Sequence, residues 1–120
     1  MAKILVVDDA AFMRLMLKNI LESNGHEVVG EAADGVQSLA KYEQLKPDLV
    51  TMDIVMPQLD GIEATREIIH NYPDAKIIMC TAVGQQAKVL EAMKAGAKGY
   101  IIKPFQAPKV VEEINKVLKA

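Results

Sequence analysis

The stretch of sequence that decides the fold lies at residues 4–9 and reads Ile4-Leu5-Val6-Val7-Asp8-Asp9. Four consecutive apolar residues, rather than an alternation with polar ones, are typical of a strand that is buried on both faces of a sheet. Two carboxylates follow where this strand would leave the sheet. The stretch therefore predicts a short parallel strand that ends at a polar site.

The residues after this stretch have a helical pattern. Apolar side chains recur with spacings of three and four at Met13, Met16, Leu17, Ile20 and Leu21. Gly25 ends the pattern, because glycine suits the left-handed conformation that closes many helices. Val28 and Val29 then predict a second strand.

The same alternation continues along the rest of the chain. Short apolar runs predict strands at residues 49–52, 77–80 and 100–102, and helices are predicted at 35–45, before Tyr72, at 86–95 and from Pro108 onward. Five strands alternating with five helices require right-handed crossovers, and hence a parallel sheet. We predict an α/β fold with a doubly wound five-stranded parallel sheet and helices on both faces. Residues 1–120 are expected to form one domain.

Charge is unevenly distributed along the chain. The net charge of −2 argues against general nucleic-acid binding, which needs a basic face. Residues 1–84 hold 7 Lys/Arg against 13 Asp/Glu, a net of −6, whereas residues 85–120 hold 7 Lys against 3 Glu, a net of +4. The difference suggests two functional faces, of which the basic one fits an acidic or amphipathic partner segment.

Three further features bear on the compartment. Carboxylates come too early for a signal peptide, no apolar stretch approaches the roughly 18 residues of a membrane span, and the single Cys80 excludes an internal disulfide. We expect a soluble cytoplasmic protein that does not contact the membrane. His26 and His70 are isolated in sequence and are expected to be surface residues.

Polar residues follow four of the five predicted strands. In an open parallel sheet, ligands bind beyond the carboxyl ends of the strands. The residues found there are Asp8, Asp9, Asp53, Thr81 and Lys103. Three carboxylates, a hydroxyl and an ammonium group are therefore predicted to meet in one small patch.

The chemistry of this patch favours a hard cation. Three neighbouring carboxylates repel one another unless a cation lies between them, and oxygen-only ligands favour Mg²⁺ over zinc or copper. Lys103 would supply a second positive charge, and Thr81 a hydrogen-bond donor. A carboxylate nucleophile, a divalent ion and a lysine are what phosphoryl transfer to an aspartate needs.

Each of these residues also has a structural interpretation. Asp8 or Asp9 would suit the N-cap of the first helix, Asp53 alone would suit a turn, and Lys103 alone would suit a solvated surface. The coincidence of all of them at strand ends favours the phosphoryl site.

The chain resembles the receiver domains of two-component signalling, and among them the stand-alone chemotaxis response regulators. The resemblance covers the whole chain and rests on motifs that stand in order at strand ends: Val6-Val7-Asp8-Asp9, Met52-Asp53-Ile54-Val55-Met56-Pro57 with Asp60-Gly61, Thr81-Ala82, and Lys103-Pro104-Phe105. It implies a flavodoxin-like fold with strand order 2-1-3-4-5. It also implies a phosphoacceptor switch that catalyses only its own phosphorylation and dephosphorylation, not a turnover enzyme.

The resemblance further implies roles for the site residues. Asp53 would accept a phosphoryl group from a CheA-type histidine kinase. Asp53 and Asp9 would ligate Mg²⁺ together with the backbone carbonyl of Val55, while Asp8 would hold a metal-bound water. Lys103 would pair with the phosphoryl oxygens.

The resemblance also implies how the signal leaves the site. Thr81 would move toward the phosphate and Tyr100 would turn inward, which reshapes the face made by helix four, strand five and helix five. Pro104 would follow a cis peptide bond. The expected partner of that face is a flagellar motor switch protein or an archaeal motor adaptor, bound by a monomer of this chain.

Two positions differ from what fast hydrolysis of the phosphate would require. Val55 lies two residues after the phosphoacceptor Asp53, and Val83 lies two residues after the switch residue Thr81. Neither valine side chain can orient a water molecule. We expect slow intrinsic hydrolysis and a separate phosphatase.

Two rival functions are compatible with parts of the pattern. A haloacid-dehalogenase-like phosphatase uses an Asp nucleophile with Mg²⁺, but it needs a second Asp where this chain has Val55. The chain could instead be a phosphorelay receiver, or a receiver cut from a larger DNA-binding regulator. No linker follows the final helix, which fits a complete protein but also a cut at that point.

Overall fold

The computed structural model describes residues 2–120, in which strands and helices alternate throughout. The strands are β1 (Lys3–Val7), β2 (Glu27–Ala32), β3 (Leu49–Asp53), β4 (Ile77–Ala82) and β5 (Gly99–Lys103). The helices are α1 (Ala11–Ser23), α2 (Gly35–Leu45), α3 (Gly61–Asn71), α4 (Gln86–Lys94) and α5 (Ala107–Lys119). The predicted elements are all present. β2 differs most, because it extends beyond the predicted pair of valines in both directions.

All neighbouring strands of the sheet are parallel. Their order is β2-β1-β3-β4-β5, so both the predicted doubly wound sheet and the flavodoxin-like strand order are confirmed. From β1 the chain moves to one side to form β2 and then crosses to the other side to form β3. The order therefore reverses between β1 and β3, which is where ligands bind in this type of sheet.

Two apolar layers cover the two faces of the sheet. One layer joins the sheet to α2, α3 and α4, and its members include Met52, Met79, Ile62, Ile68 and Ala92. The other joins the sheet to α1 and α5, and its members include Leu17, Leu21, Ile78, Ile114 and Val117. Because both faces are covered, the strands have the continuous apolar runs from which the fold was predicted.

Helix ends are where the sequence places them. Gly25 follows the C-cap of α1 with a φ of +86°, a conformation that costs glycine little. Lys46 adopts the left-handed conformation at the end of α2, and its ammonium group lies 5.2 Å from the ring centre of Tyr72. The amide of Lys46 donates to the carbonyl of Tyr42, so the left-handed residue closes the last turn of α2.

The prediction that His26 is a surface residue is wrong. Its side chain is buried, with 8 % exposure, and Nδ1 accepts a hydrogen bond from the amide of Ala2 at 3.1 Å. Burial lowers the pKa of His26, although a hydrogen bond with Asn115 opposes this shift. His70, by contrast, is exposed as expected.

None of the helices in residues 2–120 combines the length and the apolar character that crossing a membrane requires.

Candidate functional site

Three carboxylates meet at the carboxyl ends of the two central strands. Asp8 and Asp9 follow β1 directly, and Asp53 is the last residue of β3. Because β1 and β3 are parallel, with Val7 opposite Met52, the residues that follow these two are also neighbours. One oxygen of each carboxylate lies within 4.8 Å of the other two.

Asp8 is buried and is held through both its backbone and its side chain. Its amide donates a hydrogen bond to the carbonyl of Ala32 on β2 at 3.1 Å. In the side chain, Oδ1 accepts from the amide of Ala10 at 2.9 Å, and Oδ2 accepts from Nζ of Lys103 at 2.8 Å. These contacts tie the β1–α1 loop to both edge strands of the sheet.

The helix-capping alternative for Asp8 and Asp9 is not what the structure contains. The N-cap residue of α1 is Ala10, and no side chain caps this helix. Elsewhere the fold does use aspartates as caps, since Asp34 and Asp60 accept hydrogen bonds from the first turns of α2 and α3. Neither carboxylate therefore caps α1: Oδ1 of Asp8 accepts from the amide of Ala10, which precedes the helix, and one oxygen of each residue lies in the cluster.

Lys103 connects the carboxylates from the far side of β4. Its Nζ lies 2.8 Å from Oδ2 of Asp8 and 3.3 Å from Oδ1 of Asp53. Burial lowers the pKa of Lys103, but the hydrogen bond to Asp8 and the charge of Asp53 outweigh burial, so the net pKa is raised. The ammonium group is therefore a fixed positive charge in the site. The Lys103–Pro104 peptide bond is cis, as the resemblance implies.

Asp53 has a carboxylate whose pKa is shifted well above its ordinary value. Burial and the charge of Asp8 together raise the pKa of Asp53 to about 6, because the neighbouring Lys103 only partly offsets them. The negative charge of the cluster thus exceeds what one lysine neutralises. A divalent cation would relieve this excess, and carboxylate oxygens are the ligands that hard cations prefer. The residues present fit a metal such as Mg²⁺.

Thr81 follows Cys80, which pairs with Asp53, and Tyr100 lies on the adjoining strand β5, where it pairs with Met79. Thr81 is buried near the end of β4, and its hydroxyl donates to the carbonyl of Ala82 at 3.3 Å. Tyr100 on β5 is 45 % exposed and lies on a surface cleft that it shares with Thr81. The structure thus has the tyrosine facing outward.

The loops around the site present apolar side chains to solvent. Val55 is 63 % exposed and Val83 is 78 % exposed. Each follows a site residue by two positions, Asp53 and Thr81 respectively. Neither side chain can donate or accept a hydrogen bond, so neither can hold a water against a phosphoryl group.

Two residues near the site have structural roles that the sequence did not predict, Gly61 and Arg14. The amide of Gly61 donates to the carbonyl of Ile54 at 2.8 Å, and a Cβ at this position would overlap the backbone carbonyl of Asp53. The Asp60-Gly61 pair was the available signal, because an N-cap followed by glycine allows a close backbone approach. The side chain of Arg14 donates a hydrogen bond to the backbone carbonyl of Asp8, and no local sequence pattern predicts this contact.

The fold and the site together define a class of signalling switch. A buried aspartate with two acidic neighbours and a lysine lies at the switch point of a five-stranded parallel sheet. The chain belongs to the response regulator receiver domain family, whose profile matches residues 4–115. Receiver domains of the CheY type are signalling switches and not classical enzymes.

Relatives of similar length come from bacteria and archaea. The chain is 59 % identical to the chemotaxis protein CheY of Thermotoga maritima over 117 residues, which cover 98 % of each chain. It is 54 % identical to the chemotaxis protein CheY of Halobacterium salinarum over 121 residues, which cover all of both.

A solved structure of a complex is also similar. It is the CheX–CheY–BeF₃–Mg²⁺ complex from Borrelia burgdorferi, with a TM-score of 0.92 and 35 % identity. The match covers 96 % of this chain and 87 % of that one. The chain is therefore a CheY-like receiver of two-component signalling.

Proposed function

We propose that residues 1–120 form one cytoplasmic receiver domain that stores a phosphoryl group on Asp53 and reports it to a motor component. The donor is a phosphohistidine on a CheA-type sensor kinase, and the reaction depends on Mg²⁺. The chain catalyses only its own phosphorylation and dephosphorylation. It acts as a stand-alone chemotaxis response regulator.

One observation carries this proposal. The Nζ atom of Lys103 lies within 3.3 Å of both Asp8 and Asp53, at the point where three carboxylates come together. A lysine that pairs with the two buried acids, Asp8 and Asp53, next to the exposed Asp9 is costly for stability alone, because the excess negative charge remains. The arrangement is suited to a site that receives a cation and a phosphoryl group together.

The residues that would hold Mg²⁺ are Asp9 and Asp53, with the backbone carbonyl of Val55, while Asp8 would hold a water of the ion. When bound, the ion neutralises negative charge that develops on the transferred phosphoryl group. Asp8 is buried and already accepts hydrogen bonds from Ala10 and Lys103, whereas Asp9 is exposed, so Asp9 is the more accessible of the two to the ion.

The transfer step belongs to Asp53. A carboxylate oxygen forms a bond to phosphorus as the phosphorus–nitrogen bond of the donor breaks, and the electron pair of that bond leaves with the imidazole. Lys103 exchanges part of its contact with Asp53 for the phosphoryl oxygens.

The output surface lies beside the site. Thr81 closes toward the phosphoryl oxygens, and Tyr100 then turns from solvent into the space that Thr81 leaves. The cleft that changes shape is lined by apolar side chains of α4 and β5, namely Val89, Leu90, Met93, Tyr100 and Ile102. Its partner is a flagellar motor switch protein or an archaeal motor adaptor, since relatives named chemotaxis protein CheY come from both kinds of organism.

Removal of the phosphate requires help from a second protein. Val55 and Val83 are exposed and apolar, so this chain has no side chain at those positions that orients a water. A similar receiver, the CheY of Borrelia burgdorferi, is bound by a second protein, CheX. We infer that a separate phosphatase supplies the missing groups here.

Labelling with acetyl phosphate or with a phosphorylated kinase tests the proposal. Wild type should take up one phosphoryl group only when Mg²⁺ is present, and Asp53→Asn should take up none. Asp74→Asn is the matched control, because Asp74 is an exposed loop residue at the opposite end of the sheet. Full labelling of Asp53→Asn would refute the proposal. Steady release of phosphate from small phosphomonoesters would instead favour the phosphatase alternative.

A further inference from the structure

Arg14 joins the acidic loop to the edge strand of the sheet. Arg14 is the fourth residue of α1, and 18 % of its side chain is exposed. Its Nη1 donates to the backbone carbonyl of Asp8 at 2.7 Å, and its Nε donates to Oε1 of Glu31 on β2 at 2.9 Å. The proposed phosphoryl transfer makes no direct use of either residue.

The carbonyl that Arg14 contacts belongs to the peptide group between Asp8 and Asp9. This group is planar, so fixing its oxygen also fixes the direction of the Asp9 amide and the position of the Asp9 Cα. The amide of Asp8 is held on the other side by Ala32. On the other side of Asp9, the amide of Ala10 donates to Oδ1 of Asp8, so Arg14 supplies one of the two contacts that set where the Asp9 side chain leaves the backbone.

Asp9 has more need of such support than its neighbours. Asp8 and Asp53 are buried and contact Lys103, whereas Asp9 is exposed in the turn before α1. That helix has no side-chain cap to order its first residues. Without Arg14, the carboxylate of Asp9 would sample several positions relative to the other two.

The partner of Arg14 also matters for charge. A free guanidinium next to three carboxylates would compete electrostatically with a cation. Glu31 pairs with Arg14, so the guanidinium orders the loop while contributing little net charge. Only an arginine can make both contacts, because its donors point in two fixed directions from one planar group.

We propose that Arg14 is a positioning residue for cation binding: it holds the Asp8–Asp9 peptide so that the Asp9 carboxylate faces Asp53, and Glu31 neutralises its charge. This inference rests on the proposed function, in which Asp9 and Asp53 bind Mg²⁺. It concerns residues that touch neither the cation nor the phosphoryl group.

Calorimetric titration of the whole, unphosphorylated chain with MgCl₂ tests the inference. Arg14→Met keeps the aliphatic stem but removes both hydrogen bonds, and we expect the affinity for Mg²⁺ to fall about tenfold. Arg66→Met is the matched control. Arg66 is the only other arginine of the chain, and its pair with Glu63 lies on the exposed surface of α3. The control should bind Mg²⁺ within a factor of two of wild type.

Two milder variants separate geometry from charge. Arg14→Lys keeps the charge but makes at most one of the two contacts, and should weaken Mg²⁺ binding about threefold. Glu31→Gln keeps an acceptor for Arg14 but leaves the guanidinium uncompensated. It should also weaken binding by about threefold, and added salt should remove most of this effect. If Arg14→Met does not fold, the same titration with Arg14→Lys tests the inference, and the expected result is Mg²⁺ binding about threefold weaker than in wild type.

A readout without metal distinguishes positioning from general stability. The NMR order parameter of the Asp9 amide should drop from about 0.85 in wild type to below about 0.6 in Arg14→Met, while that of the Asp53 amide stays unchanged. Raising Mg²⁺ about tenfold should restore the rate of phosphoryl labelling.

The two proposals fail in different ways. If wild type binds Mg²⁺ but Arg14→Met, or Arg14→Lys in its place, binds it equally well, the role of Arg14 is refuted and the phosphoacceptor proposal stands. If wild type itself binds no Mg²⁺ and takes no label, the proposed function is refuted, and the inference with it.

Discussion

α3 and α4 lie side by side on the same face of the sheet, yet they are anchored very differently. α3 buries five residues and begins with Asp60, whose side chain caps the helix. α4 buries only Ala92, has no side-chain cap, and leaves Leu90 58 % exposed and Met93 37 % exposed. The first helix supports the loop that follows Asp53, and the second forms one wall of the proposed output cleft.

This difference indicates a division of labour within one small domain. The segment behind the phosphoacceptor has many buried contacts, so moving it would expose apolar surface at about 25 cal/mol per Å². Little apolar surface holds α4, and segments of that kind open and shift at low cost. A fixed acceptor next to a loosely held reporter is what a phosphorylation switch requires, since small changes at the site must move something else.

The largest expected effect comes from adding a single methyl group where α3 meets β3. In Gly61→Ala, the new Cβ would overlap the carbonyl of Asp53, and the neighbouring atoms are backbone that cannot turn aside. We expect the free energy of unfolding to fall by about 3 kcal/mol or more, with loss of phosphoryl labelling. Urea denaturation and labelling measure the two effects.

Gly84→Ala is the matched substitution next to α4. Gly84 has a φ of +91° but no neighbour within 4 Å of a new Cβ, so only the backbone conformation is unfavourable. The expected loss is about 1 kcal/mol, with labelling retained. Equal losses for the two glycines would contradict the contrast between the two helices.

The same contrast can be tested with side chains in place of backbone. Ile68 on α3 is 1 % exposed, and Ile68→Ala should lower the free energy of unfolding by about 2–4 kcal/mol. Leu90→Ala on α4 should change it by less than about 0.5 kcal/mol, because more than half of Leu90 is already exposed to water. Leu90→Ala should nevertheless weaken binding of the motor partner. A large loss of stability in this variant would mean that α4 is as firmly packed as α3.

Val55→Asn tests the loop between the acceptor and α3. An amide at this exposed position can hold a water near the phosphoryl group, a hydrogen bond of about 1 kcal/mol, which corresponds to about a fivefold faster hydrolysis. The lifetime of the labelled protein after removal of the donor measures this rate. Val36→Asn, at a similarly exposed position on α2, should leave the lifetime unchanged. A wild-type lifetime shorter than that of Val55→Asn would refute the idea that the valine slows hydrolysis.

The sequence was sufficient to predict the sheet and its helices for physical reasons. Strands buried on both faces are continuous apolar runs, and a glycine or proline lies two residues after the end of each of the first four helices, so little tertiary information was needed. The residues gathered at the predicted strand ends are close in space for the same reason, since parallel strands end at one edge of the sheet.

What could not be predicted depends on contacts between distant elements. His26 is buried because the packing brings it against Ala2 and Asn115, and its immediate neighbours in sequence give no sign of this. In the sequence pattern, Arg14 is indistinguishable from an ordinary residue on a helix surface, because its partner Glu31 is 17 positions away. Only the three-dimensional arrangement identifies these contacts.

An effect of about the same size as that of Gly84→Ala, but of opposite sign, is expected at Thr51, in the middle of the strand that ends at Asp53. Thr51 is fully buried, and its hydroxyl has no hydrogen-bond partner among residues 2–120. Thr51→Val replaces this hydroxyl with a methyl group of similar size, and should raise the free energy of unfolding by about 1 kcal/mol in urea denaturation. Thr65→Val on α3 is the matched control, because the hydroxyl of Thr65 lies 3.5 Å from the sulfur of Met79 and forms a weak hydrogen bond there. It should gain less than Thr51→Val. If Thr51→Val were destabilising instead, the hydroxyl of Thr51 would have to make a hydrogen bond in solution, for example to a buried water molecule. The structure has no such partner for it among residues 2–120.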